Sequence, residues 1–335
     1  MESACLAERR RGISGSTIKI IAVAAMLIDH AAAAVLTRQI LAGGYLDAAR
    51  GGQAVLNRWL SENSFLFYSM EIMRMIGRLG FPIFCFLLVE GFHKTKNVRK
   101  YALRLGIFAL VSEVPFDLAV TGRLTHPGYQ NVYFTLLLGL LALCGYAFFE
   151  KWEKGSQERD LPVVLRMFLT VAGVFSPAAV LTGFAGVSSG YGNPGERLAV
   201  AGVMSGVTAI ILVLYGMKKG VRHVQTVCGD MAVLAAAMFA GEYLNTDYGG
   251  MGVLTITAMY VFRRRRVLSM LAGCVVLTVL TVSEIPAFLA AVPIAMYNGK
   301  RGLRMKYFFY AFYPVHLLLL YVIALLLGLG NITLL

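Results

Sequence analysis

Asp29 and His30 stand side by side in MLIDHAAAAV, residues 26–35, inside a run that otherwise reads as apolar helix. An ionisable residue in hydrocarbon costs several kcal/mol and marks function by default. Histidine is the side chain best suited to exchange protons near neutral pH. Further ionisable or amide side chains stand in or beside later apolar runs. Arg74 and Arg78 open the second, while Glu113 and Asp117 lie four residues apart and so stack on one face of the third. Gln130, Asn131, Asp247 and Glu284 stand at the ends of others. A second set comprises Glu90, Asp230, YNGKRG at 297–302, and His316. Such residues serve either proton-dependent catalysis or proton-coupled transport, and their spacing does not separate an enzyme from a carrier. Structural roles compete with both: Glu113 and Asp117 as ion-pair partners of Arg74 or Arg78, His316 as a satisfied core histidine.

The elements that must carry these residues are membrane helices. Of 335 residues, 58% are hydrophobic and 15% charged, against about 25% charged in a soluble domain, and the mean hydropathy is +0.69. Eleven apolar runs approach spanning length: 17–36, 72–92, 101–120, 131–149, 163–185, 198–216, 224–242, 248–262, 267–283, 284–298 and 308–329. The expected fold is therefore all-α: a polytopic bundle of ten or eleven transmembrane helices forming one domain over 1–335. The ninth and tenth runs almost merge at SEIPAF, as a tight hairpin or a broken helix.

With the N-terminus placed in the cytoplasm, the inner loops carry 22 Lys and Arg and the outer ones seven. That asymmetry follows the positive-inside rule and puts the C-terminus outside. The net charge of +13 is thus topological, and nucleic acid is not an expected partner. Residues 37–71 form a long outer loop, with an interfacial amphipathic helix as one reading; 186–197 reads as a flexible outer loop. The five cysteines show no metal-ligand spacing and read as small buried hydrophobes, so no metal is expected. SEVPFDLAV and SEIPAFLAAV echo one another too briefly to make a repeat. On this topology His30 lies about 20 Å into a core about 30 Å thick. Arg74, Arg78, Glu113 and Asp117 share its outer half, around a pocket open outward. The second polar set, with the basic loops, makes an inner mouth suited to an anionic cytoplasmic ligand.

SGSTIKIIAVAAMLIDH and MRMIGRLGFPIFCFLLVEGFHKTKNVRKYALRLGIFALVSEVPFDLA closely resemble the TraX family of bacterial membrane proteins. QNVYFTLLLGLLAL, TDYGGMGVLTITAMYVFR and YNGKRGLRMKYFFYAFYPVHLLLLY continue the match in order, over about 14–320. The family is named for an F-plasmid protein that acetylates pilin N-termini, and is similar to the wider transmembrane acyltransferase group. In that group's acyltransferase-3 enzymes, a Leu-Arg-x-Ile-Ala-like start of the first helix leads to a histidine treated as catalytic. IKIIAVAAMLIDH fits the pattern, with Lys19 at the basic position and His30 at the histidine.

The resemblance implies a multi-pass enzyme of the bacterial cytoplasmic membrane, in contact with its lipids. It would move an acetyl or acyl group from cytoplasmic acetyl-CoA to an amine or hydroxyl outside. The acceptor would be a pilin-like peptide or a cell-surface glycan or lipid. Acyl transfer needs a base or acyl carrier, for which His30 stands, and positive charge at the developing oxyanion, for which Arg78 stands. Glu113 or Asp117 would orient the imidazole. Asp29, about 100° round the helix from His30, is expected to make a helix contact or pair with an arginine, with a catalytic role as the alternative. Asn298, Lys300, Arg301 and His316 would hold coenzyme A at the inner mouth. The competing class is a proton-coupled transporter or channel.

Overall fold

The computed structural model describes residues 12–155, 160–189, 194–303 and 305–334. Cys5, Arg9, Arg10, Arg11 and Arg304, with parts of the 150–160 and 186–197 loops, lie outside the described residues. Those described form an all-α membrane protein, with two isolated β-bridges and no strand among them. Among the described residues, seven helical stretches are long and apolar enough to cross a bilayer.

Helix α1 (Gly15–Ala42) starts where the Ser14 side chain accepts the Thr17 N–H, a standard N-cap. Just after His30 it passes through a π-helical turn, Ala32–Thr37, a local widening frequent at functional sites. The 37–71 segment proves largely helical. α1 continues into it, short helices α2 (Tyr45–Arg50) and α3 (Gln53–Glu62) follow, and α4 (Ser64–Gly77) begins within it. The second apolar run is broken at Arg78 and Leu79, and resumes as α5 (Gly80–Lys94). Gly77 sits at that break because a Cβ there would overlap the Asp29 side chain, so α4 and α1 approach closely.

α6 (Val98–Thr121) runs unbroken through Pro115, and α7 (Val132–Glu153) returns from it. α8 (Val163–Ser189), α9 (Pro194–Lys219) and α10 (Val221–Tyr243) pack to one side. α11 (Gly249–Val261) has 13 residues, about 20 Å at 1.5 Å each, short of the full hydrocarbon thickness. α12 (Arg266–Leu280) ends at an extended Thr281 and folds back on a 3₁₀ segment, Val282–Ala290, and α13 (Ala291–Ala295). SEIPAF is therefore a tight hairpin, and the tenth run is no spanning α-helix; Pro286 and Pro293 withhold N–H groups that a continuous helix needs. α14 (Lys306–Leu326) lies against α1 and α6. The main core is shared by α1, α5, α6, α7, α11, α12, the 3₁₀ segment and α14.

Candidate active site

Two cavities lie end to end inside this ring of helices. One, of about 420 Å³, is bordered by Asp29, His30 and Ala33 of α1, Arg74 and Arg78 at the end of α4, Asp247 and Tyr248 before α11, Glu284 of the 3₁₀ segment, and Tyr313 of α14. The other, of about 440 Å³, opens among Lys19, Glu90, Lys94, Tyr101, Arg104, Arg301 and Tyr310. It lies at the end of the bundle that holds the start of α1 and the basic 297–301 loop.

The charged groups of the histidine cavity are held in pairs. Arg74 Nη1 is 2.6 Å from Asp29 Oδ2. Arg78 Nη1 is 2.9 Å from Oε1 of Glu284, whose side chain is 2% exposed. The Tyr129 hydroxyl donates to Asp247 Oδ1 at 2.8 Å. Tyr248 adopts φ +64°, an uncommon conformation for a bulky residue. Its ring is held by a stack on Phe81, centroids 3.7 Å apart. Gln130 N donates to Asn245 O at 2.9 Å and Asp247 N to Gln130 O at 2.8 Å, so two loops from distant parts of the sequence close this end together.

His30 has a partner that its sequence neighbourhood does not reveal. Its Nδ1 lies 2.7 Å from Nε2 of His316. The ring planes are 4° from parallel and the centroids 5.0 Å apart, the geometry of an in-plane N–H···N bond. Hydrogen positions follow from the network. His316 Nδ1 lies 2.8 Å from the Phe312 carbonyl, which only accepts. Neutral His316 therefore carries its proton on Nδ1 and offers an Nε2 lone pair. His30 Nδ1–H donates to that lone pair, which leaves His30 Nε2 unprotonated. The fixed tautomer leaves the His30 Nε2 lone pair free to accept a proton.

Of the residues singled out in the sequence, His30, Asp29 and Arg78 are brought together. Asp29 makes the arginine pair, with Arg74, and points away from the imidazole bond. Glu113 and Asp117 line neither cavity and do not orient His30. The Glu113 carboxylate accepts from the Asn131 side chain, the N-cap of α7, and Asp117 Oδ2 accepts from His126 N at 2.6 Å. Their shared helix face is turned to the α6–α7 connection, which they brace. His316, expected at the inner mouth, stands behind His30, 3% exposed. Leu303 N donates to Ser16 Oγ at 3.1 Å, so the chain before α14 lies level with the first turn of α1, and α14 rises beside α1 until His316 meets His30. Asn298 is spent on the loop, donating to Gly12 O at 2.6 Å and accepting from Lys300 N at 2.9 Å. Of the four residues expected to hold coenzyme A, Arg301 alone lines the basic cavity, with Glu90 and Tyr297 of the expected mouth beside it. Lys19, Lys94 and Arg104 join it there, and Arg74, Asp247, Tyr248 and Glu284 join the histidine cavity. The ionisable ones were visible in or beside apolar runs; Tyr248 gave no such signal.

Residues 14–185 and 179–324 match the family described as TraX protein. The chain belongs to the TraX family. The matched segments contain every residue bordering the two cavities except Leu334. This TraX-family chain is also 27% identical, over 93% of its length and 96% of the relative's, to a protein of Dichelobacter nodosus named "Probable fimbrial assembly protein FimC, serogroup H1". No solved structure matches it.

Proposed function

We propose that this TraX-family protein is a membrane-embedded acyltransferase. It moves an acetyl group from acetyl-CoA, entering at the basic face, to an acceptor N–H or O–H at the opposite face. The observation that carries the reading is His30, fixed by His316 as a base, in a cavity set end to end with a basic one. The basic face is cytoplasmic on the positive-inside rule, in the bacterial inner membrane. The acceptor is pilin-like: the family's founding activity and the fimbrial name of the relative point the same way. The histidine cavity adds support, because three carboxylates, Asp29, Asp247 and Glu284, face two arginines there, and the excess negative charge favours an amine as it arrives protonated.

The chemistry follows from the tautomer. An amine first releases its ammonium proton to solvent; the acceptor, as neutral amine or hydroxyl, then attacks the thioester carbonyl, and His30 Nε2 takes the proton it loses on attack. The resulting imidazolium keeps its Nδ1–H bond to His316, so no rearrangement accompanies the transfer. Arg78 or Arg74 faces the developing oxyanion. Collapse breaks the C–S bond, and the proton on His30 Nε2 passes to the departing thiolate. The products are acylated acceptor and free coenzyme A thiol.

At the basic face, Lys19, Lys94, Arg104 and Arg301 outnumber Glu90, which suits the coenzyme phosphates. The first N–H groups of α1 are unavailable to them: Gly15 N donates to Lys300 O at 2.8 Å and Ser16 N to Arg301 O at 3.0 Å. Side chains must therefore carry the binding. Arg301→Ala and Lys19→Ala should each weaken acetyl-CoA binding by about 10-fold or more, the weight of a charge-assisted hydrogen bond. Rising salt should weaken it further. Calorimetric titration of the purified protein checks this, and affinity indifferent to both changes would remove the donor site from this face.

His316→Phe should leave acetyl-CoA affinity intact and lower kcat by roughly 10- to 100-fold, the usual scale for losing a group that orients a functional histidine. His316→Asn, which still offers an acceptor, should recover part of the rate. Equal losses in both variants, or a change in KM alone, would assign His316 to packing.

A further inference from the structure

The partition between the two cavities is one side chain thick. Phe84 of α5 and Leu136 of α7 border both cavities. Beside them, Tyr133 faces the basic cavity and Tyr313 the histidine cavity, their rings edge to face at 5.0 Å. Tyr313 in turn lies 5.9 Å from the His30 ring. A thioester carbonyl arriving from the basic end must cross this partition to meet His30. Phe84 and Leu136 are apolar, so dispersion and rotamer preference hold them and no hydrogen bond has to break when they move. Beyond them the walls carry Asp29, Arg74, Arg78 and Glu284, and a long apolar chain pushed in there would strip water from charged groups.

Resting on the acyltransferase reading above, we propose that Phe84 and Leu136 are the gate between donor and acceptor compartments, and that their bulk restricts the transferred group to acetyl or a similarly short acyl chain. Leu136→Ala would vacate apolar room beside Phe84 and admit more methylenes.

Two measurements separate the gate from the chemistry. In the first, Ala33 of the histidine cavity becomes the sole cysteine, with the native cysteines replaced, in sealed vesicles that present the basic face outward. A membrane-impermeant maleimide should label Ala33→Cys slowly with Phe84 and Leu136 in place. Labelling should be roughly tenfold or more faster with Leu136→Ala or Phe84→Leu, because the probe then meets an open path. Thermal melting identifies any variant that is merely unfolded; the milder Phe84→Leu serves if Leu136→Ala melts early. Unchanged labelling in folded variants would overturn the gate whether or not the protein transfers acyl groups. In the second, the butyryl-CoA to acetyl-CoA ratio of kcat/KM should rise by about 10-fold or more in Leu136→Ala, since a methylene is worth about that much in an apolar pocket. A ratio equal to wild type, with acetyl transfer present, would overturn the chain-length role. Absence of acetyl transfer in wild type would strike the acyltransferase reading and leave the labelling result to decide the gate.

Discussion

His30→Ala is expected to reduce acyl transfer by about 10²- to 10⁴-fold, the range for losing a positioned general base. The protein should still fold and still bind acetyl-CoA, because His30 borders the histidine cavity and not the basic one. The loss should fall on kcat, since the proton leaves the acceptor only in the transition state. His30→Gln sharpens the test. Glutamine can still hydrogen-bond to His316 but cannot accept a proton, so it should keep stability and lose activity. Single-turnover transfer with melting run beside it measures both. A normally melting His30→Ala enzyme with the wild-type rate would reduce His30 to a packing residue.

Arg78→Ala is expected to have the largest effect on stability. It would leave the Glu284 carboxylate, 2% exposed, buried without its 2.9 Å partner. Breaking a buried pair from one side costs about 3–5 kcal/mol, a fall in Tm on the order of 10 °C for a chain of this size. Removing both charges is different, because the desolvation penalty goes with the pair. Arg78→Met with Glu284→Gln should therefore melt close to wild type while transfer stays low, the oxyanion having lost a cation. Arg78→Ala melting as wild type would show that the pair does not join α4 to the 3₁₀ segment. A double variant no more stable than the single one would contradict the charge-burial reason. The pair closes the cavity as well as polarising it.

Apolar runs in the sequence located the long helices, because a bilayer demands about 20 apolar residues per span and internally satisfied backbone groups; α2 and α3, within the segment read as an outer loop, lay outside them. They did not show the break at Arg78 and Leu79, which depends on Gly77 meeting Asp29 across helices, nor the π-turn after His30. Asp29, His30 and Arg78 stood out because ionisable residues in such runs are costly. Glu113 and Asp117 looked equally good by that criterion, but four-residue spacing fixes only that they share a face, not which neighbour the face meets. His316 was misplaced because depth was counted along α14 from a membrane face, whereas α14 begins beyond Leu303, alongside the first turn of α1. Ten residues into α14 is about 15 Å, and from a start level with that of α1 this brings His316 to His30. The histidine pair is a tertiary fact, and only the packing of α14 on α1 creates it.

Acetyl transfer across the bilayer tests the central reading most directly. Sealed vesicles with the basic face outward would receive acetyl-labelled coenzyme A in the medium and an amine-bearing peptide in the lumen. Label should appear on lumenal peptide with wild-type protein and fall to background with His30→Gln, while free coenzyme A thiol accumulates outside in proportion. Label that stays on coenzyme A, or that reaches the peptide equally with His30→Gln, would contradict a His30-dependent acyltransferase fed from the basic face.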